Sequence, residues 1–263
     1  MIALGVVFAA PADHLKELPG LKSVTRRLPK TSDAAEVLTE LKQHFAQYCA
    51  GEERINAYPY LASLLRVCMD ARMAPPQEAI AMLLEAGADV DAMDAELNMT
   101  PLVMAAMSRD LGLETLDKLL AAGADVNARH TDMSPLQAAA YSDRVDVCER
   151  IIAAGARLNE RKGETKETAL HTAAVFNASR VCEHLLTAGA DVDAEDAKGA
   201  TPLFYAIVAD SPEVARILLA AGADPSLRSD AGLTALQVAR QMERGRGWML
   251  MLEKAENEHN KNN

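Results

Sequence analysis

The side chains that could carry acid–base, nucleophilic or metal chemistry are few and scattered. The chain of 263 residues holds six histidines and four cysteines. His184 stands two residues after Cys182, a pair that could open a metal site. Zinc takes three or four converging nitrogen, sulfur or oxygen ligands, and no others can be named beside this pair. The cysteines, Cys49, Cys68, Cys148 and Cys182, form no Cys-x-x-Cys pair. There is no Gly-rich phosphate loop, no His-Glu-x-x-His, no Gly-x-Ser-x-Gly and no EF-hand loop. The abundant aspartates recur in Gly-Ala-Asp tripeptides rather than as catalytic pairs. The sequence therefore points to no catalytic residue, no cofactor and no metal, and the chain is expected not to be an enzyme.

The elements that position these residues repeat. Glycines of a Gly-Ala-Asp/Arg tetrad stand at Gly87, Gly123, Gly155, Gly189 and Gly222, spaced 36, 32, 34 and 33 residues apart. A second marker keeps step. It runs Thr100-Pro-Leu, Ser134-Pro-Leu, Thr168-Ala-Leu, Thr201-Pro-Leu and Thr234-Ala-Leu, at spacings of 34, 34, 33 and 33. Two markers in phase at about 33 residues give the chain a clear resemblance to ankyrin repeats from Pro76 to Ala255. The fold class this implies is mainly α. It is an ankyrin solenoid of about six helix-turn-helix repeats, with β-hairpin fingers and a small N-terminal cap.

Each marker has a physical job. The Thr or Ser hydroxyl caps a first helix, and proline suits the next position because its missing N–H has no helical partner there. The following leucine fills the core between repeats. Ala105-Ala106, Ala139-Ala140 and Ala173-Ala174 let helices approach closely. The glycine after each second helix ends it in left-handed geometry. Cys148 and Cys182 occupy one small apolar position in adjacent repeats. Stacked helices lie roughly 10 Å apart, beyond the ~7 Å Cα separation a disulfide allows. They read as reduced core thiols and the compartment as cytoplasmic.

Departures from the family pattern are informative. Asp143, Asn177 and Asp210 replace the glycine between the two helices, where Asn and Asp tolerate left-handed backbone best. The fingers at Asp94–Met99, Arg129–Met133 and Lys162–Glu167 lack the glycine kept at Gly199 and Gly232, so they are expected to be irregular and to carry specificity. His171 holds the histidine place of the family's Thr-Pro-Leu-His motif, which implies hydrogen bonds to neighbouring loops rather than catalysis. For His130, on a finger tip, solvent exposure outweighs partner contact.

The resemblance also implies a concave groove. It is lined by the residues just before each Thr or Ser and by those seven and eight positions after it. Here those places are apolar: Met99, Met133 and Leu233 before the caps, and Met107, Tyr141, Val175, Phe176 and Val208 at the helix ends, with Leu97 on the first full finger. Such a stripe on a protein surface marks an interaction site. These nine residues are the candidate partner-binding set. Packing against the N-terminal segment or the fingers is the competing account.

The formal charge of −11 disfavours nucleic acid as a partner. It favours another protein with a basic surface, steered by Asp94, Glu96, Glu164, Glu167, Glu195, Asp196 and Asp230. No run approaches the ~20 apolar residues of a membrane span. The apolar start, Ile2–Ala9, lacks the basic region of a signal peptide.

Three segments are expected. Residues 1–57 form the cap, with strands at Ile2–Ala9 and Leu21–Leu28 and a helix carrying Leu38, Leu41, Phe45 and Tyr48. Residues 58–255 form the repeats, the first and last atypical. Residues 256–263 form a frayed polar tail. The function expected is a protein-binding module, as inhibitor or adaptor. The alternatives are an immunity protein neutralising a cognate toxin, or homo-oligomer assembly through the stripe; the oligomeric state is left open.

Overall fold

A computed structural model describes residues 60–262, apart from residues 71, 73, 86, 95, 129–132 and 162. The expected N-terminal cap and His130 lie outside the described residues. Among the described residues, twelve helices form six consecutive pairs: α1 (Tyr60–Asp70) and α2 (Gln77–Glu85), α3 (Pro101–Met107) and α4 (Gly112–Ala121), α5 (Pro135–Tyr141) and α6 (Val145–Ala153), α7 (Ala169–Val175) and α8 (Ser179–Thr187), α9 (Pro202–Val208) and α10 (Pro212–Ala220), α11 (Ala235–Gln241) and α12 (Arg246–Asn262). The first helices of the pairs pack on one another in sequence, α1 to α11, and the second helices do the same, α2 to α12. The result is two parallel rows with the core between them.

The markers start the first row. Thr100 Oγ1 accepts the N–H of Val103 at 3.4 Å. Ser134 and Gln137 cap each other, with Ser134 N–H donating to Gln137 Oε1 at 2.8 Å and Gln137 N–H to Ser134 Oγ at 3.2 Å. Thr234 and Gln237 repeat the arrangement. Such reciprocal caps satisfy two helix-end donors that would otherwise be orphaned. Leu102, Leu136, Leu170 and Leu203 behind them are buried, and the paired alanines have no exposed surface at all. On the second row Leu119, Ile151, Leu185 and Leu218 are buried, while their neighbours Leu120, Ile152, Leu186 and Leu219 are half-buried.

The second row ends as the tetrads require. At Gly189, φ is +95°, Gly189 N–H donates to Leu186 O at 3.0 Å and Ala190 N–H to Leu185 O at 2.9 Å. This pair of bonds satisfies carbonyls left open at a helix C-terminus. Asp143, Asn177 and Asp210 adopt φ of +49°, +51° and +58°. Asp143 turns its strained place to use, since its Oδ1 accepts the N–H of Val181 in the next repeat at 3.1 Å.

Side chains four residues past the first four tetrad glycines tie successive repeats together. Asp91 accepts the N–H of Asp125 (3.0 Å), Asn127 that of Arg157 (2.9 Å), Asn159 that of Asp191 (2.9 Å) and Asp193 that of Asp224 (3.0 Å). Arginines bridge repeats near the helix break. Arg144, 8% exposed, donates to Ser108 O at 2.9 Å and Ala105 O at 3.4 Å. Arg244 donates to Ile207 O at 2.8 Å and Val208 O at 2.6 Å. Cations placed at the carbonyl end of a helix complement its dipole.

Two expectations change. The loops between repeats are turns, and no strand forms among the described residues. Asp94 N–H to Met99 O (2.9 Å), Asp196 N–H to Ala200 O (2.9 Å) and Ser229 N–H to Leu233 O (3.1 Å) close these loops, and Ala197 N–H to Thr165 O (2.7 Å) and Asp230 N–H to Lys198 O (2.9 Å) join one loop to the next. The polar C-terminal stretch is helical to Asn262 rather than frayed. It has no proline or glycine beyond Gly247. Lys254 pairs with Glu258 one turn on at 3.7 Å, and His259 Nε2 lies 3.4 Å from Asp224 Oδ1.

Candidate interaction surface

Tyr141 ends α5 and Phe176 caps α7, one repeat apart. Their rings meet edge to face with centroids 4.5 Å apart. Tyr141 is 43% exposed and Phe176 46%. Edge-to-face contact is a favourable aromatic geometry, so the pair is ordered while still offering both rings to solvent. The other seven candidate residues, Leu97, Met99, Met107, Met133, Val175, Val208 and Leu233, are half-buried. Four of them, Leu97, Met99, Met107 and Met133, pack on the core cluster. The apolar row is thus widest at the Tyr141–Phe176 pair and narrow on either side.

A polar cluster lies next to it. The Tyr205 hydroxyl is 2.8 Å from Asp196 Oδ2 and 2.9 Å from Glu167 Oε1. Asp196 is buried, and its Oδ1 accepts the N–H groups of Lys198 (2.7 Å) and Ala200 (2.8 Å). Burial and the two carboxylates push the Tyr205 phenol well above its ordinary range. The His171 ring stands edge-on to Tyr205 at 4.9 Å. Residue spacing drew no attention to this cluster, because Glu167, Asp196 and Tyr205 converge from a loop, the next loop and a helix.

His171 has no exposed surface. Its Nδ1 accepts the N–H of Thr168 at 3.1 Å, so the ring proton sits on Nε2, which faces Ala200 O at 3.0 Å. Burial holds its pKa below the ordinary 6.5. The ring therefore ties its own loop to the next one, as the motif implied. His184 is half-buried on α8, and among the described residues no group of three or more His, Cys, Asp or Glu could hold a metal ion. Cys68, Cys148 and Cys182 are free and buried, and burial pushes their thiols up to about 12.

The acidic steering set is smaller than its sequence suggested. Asp94, 3% exposed, is consumed by Arg66 at 3.0 Å and by the N–H groups of Glu96 and Leu97. Asp196 is held inside as described above. Glu96, Glu164, Glu195 and Asp230 remain exposed, and Glu167 is half-buried. The Arg66 guanidinium offsets the Asp94 charge, which leaves that carboxylate little net field to offer a partner.

Two rows of short antiparallel helix pairs, capped by Thr/Ser and ended by left-handed glycine, define a helical repeat protein. The family model for ankyrin repeats in three copies matches residues 69–162 and 155–229. The chain belongs to the ankyrin-repeat family. It is similar to a transient receptor potential cation channel subfamily A member 1 homolog of Caenorhabditis elegans, at 34% identity over 125 residues. That stretch is 47% of this chain and 10% of the relative. It is likewise 34% identical over 123 residues to the neurogenic locus Notch protein of Drosophila melanogaster, which is 47% of this chain and 4% of that one. The similarity thus spans a small part of each relative. Ankyrin repeats are in general protein–protein interaction modules. No helix among the described residues is long and apolar enough to cross a membrane.

Proposed function

We propose that the six helix pairs form one solenoid whose loops act as fingers, and that a partner protein binds in its concave groove. The chain acts as an inhibitor or adaptor, with Tyr141 and Phe176 as anchors. The observation that carries this reading is the exposed edge-to-face pair. Two large rings, each over two-fifths exposed and fixed by one another, offer contact area with little further entropy to lose on binding. Half-buried Met107, at the equivalent helix end one repeat earlier, and Met133, at the other end of α5, supply adaptable apolar surface along the groove. The negative charge of −11 supports a partner with a basic surface.

Photo-crosslinking tests the reading. A benzophenone amino acid is placed at position 141 or 176, or at exposed Glu149 on the second row, in the full chain expressed in its native host. Adducts from 141 and 176 but not from 149, identified by mass spectrometry, are expected. Adducts from 149 alone would contradict the groove. Adducts to a second copy, with a doubled mass in light scattering, would replace hetero-binding with self-assembly.

A further inference from the structure

Glu167 is a carboxylate set into an apolar row. The residues before the five caps are Met99, Met133, Glu167, Ala200 and Leu233. Glu167 is half-buried, and its Oε1 is 2.9 Å from the Tyr205 hydroxyl. That hydroxyl has one proton and a second acceptor, Asp196 Oδ2, at 2.8 Å. Whichever carboxylate takes the proton, the other faces an oxygen lone pair. Asp196 already has two backbone donors and Glu167 has none. Among the described residues Glu167 Oε2 has no hydrogen-bond or ion-pair partner. Water completes its shell in the free protein.

A partner laid across the apolar row removes that water. A carboxylate stripped of water and left unpaired is costly, whereas one met by a cation at the interface is not. Among the described residues no cation pairs with Glu167. Arg161 spends its guanidinium on the Asp196 carbonyl oxygen at 3.2 Å, and neither Lys166 nor Lys198 pairs with Glu167. The loops taken together carry the same sign, although residues 154–168 alone hold three acidic against four basic residues. The five loops, residues 86–100, 122–134, 154–168, 188–201 and 221–234, hold fifteen acidic against seven basic residues.

Glu167 and Phe176 flank α7 at its two ends. Nine residues at helical rise put them about 13 Å apart, the span of about four residues in an extended chain. We propose that the groove recognises an extended partner segment pairing two side chains. A large apolar one seats on Tyr141 and Phe176, and a lysine or arginine about four residues away seats on Glu167. This rests on the groove reading above and adds the chemistry that the groove selects.

The test is selection of a phage-displayed library of random twelve-residue peptides on the full-length protein. Clones that also bind the Tyr141→Ala/Phe176→Ala double variant are discarded. Surviving peptides are synthesised and their Kd is measured by fluorescence anisotropy against the parent, Glu167→Gln and Lys166→Gln. Glutamine keeps an acceptor for Tyr205, and equal thermal melting of the variant and parent checks that the fold is intact. The expected survivors carry a basic residue three to five positions from an aromatic or large aliphatic one. Their Kd rises about tenfold with Glu167→Gln and does not rise with Lys166→Gln. Survivors without a basic residue, or indifferent to Glu167→Gln, would overturn this inference and leave the groove standing. If no peptide depends on Tyr141 and Phe176, both readings fall.

Discussion

The Nε2–H of His171 meets the carbonyl oxygen of Ala200 at 3.0 Å, joining one repeat to the loop of the next. The same role falls to Gln137 one repeat earlier, whose Nε2 donates to Glu167 O at 3.1 Å. An imidazole and an amide thus do one job, each accepting from its own cap residue and donating forward. The difference is that the imidazole can be protonated.

Because burial lowers the His171 pKa, the folded chain binds this proton later than the unfolded chain as pH falls. Its contribution to stability is intact above about 6.5 and is lost as pH drops below that value toward the lowered folded pKa. His171→Gln should leave melting at pH 8 within about 4 °C of the parent and flatten the loss between pH 6.5 and 5. Thermal melts of both proteins across that range check it. An unchanged pH slope in the variant would show that other groups set it.

Asp91 and Asp193 stand where Asn127 and Asn159 stand in other repeats, and all four accept one backbone N–H. The carboxylates are the poorer choice. Desolvation first, and neighbouring aspartates after it, push both pKa values up, although the accepted N–H opposes the shift. An acid whose folded pKa is raised destabilises the fold once it is ionised, and that penalty disappears as pH falls through the folded pKa. Asp91→Asn with Asp193→Asn should therefore raise the melting temperature at pH 7 by a few degrees, about 2–4 °C. The gain should vanish near pH 3. A gain that persists in acid would point to packing instead.

Arg144 is the hidden strut between α3 and the start of α6. Arg144→Ala strands the carbonyls of Ala105 and Ser108 and should cost about 1–3 kcal/mol in urea unfolding. Arg144→Lys should recover only part, since Nη1 serves both carbonyls while Nη2 holds Asp146 Oδ2 at 3.4 Å, and a single ammonium nitrogen replaces that planar fork. Full recovery by lysine would reduce Arg144 to a simple charge.

Much of the fold was legible because its punctuation is local. Gly189 ends α8 and Ser134 caps α5 through bonds made within a few residues of each, so the spacing of markers carried the helix pairs. Asp143, Asn177 and Asp210 could be read as left-handed for the same reason. Trp248–Ala255 reads as a closing helix, but its continuation to Asn262 is not legible, because the polar residues there reveal no buried face while their support comes from distant Asp224. The candidate surface was legible in type but not in extent. Periodicity places Met99 and Tyr141 in equivalent rows, yet how much of each is covered depends on neighbours one repeat away. The Glu167–Tyr205–Asp196 cluster was invisible for that reason, as no short window contains all three residues.

The Tyr141–Phe176 pair is the proposed anchor of the groove. The central measurement is the affinity of Tyr141→Ala and Phe176→Ala for the cross-linked partner, taken beside their melting temperatures. Loss of a buried aromatic anchor costs about 2 kcal/mol, or roughly 30-fold in Kd. The edge-to-face contact itself accounts for about 0.5–1.5 kcal/mol of fold stability. Each variant should therefore bind at least about 30-fold more weakly while melting within about 6 °C of the parent. A steep fall in melting temperature with unchanged affinity would make both rings core residues, and would contradict the groove.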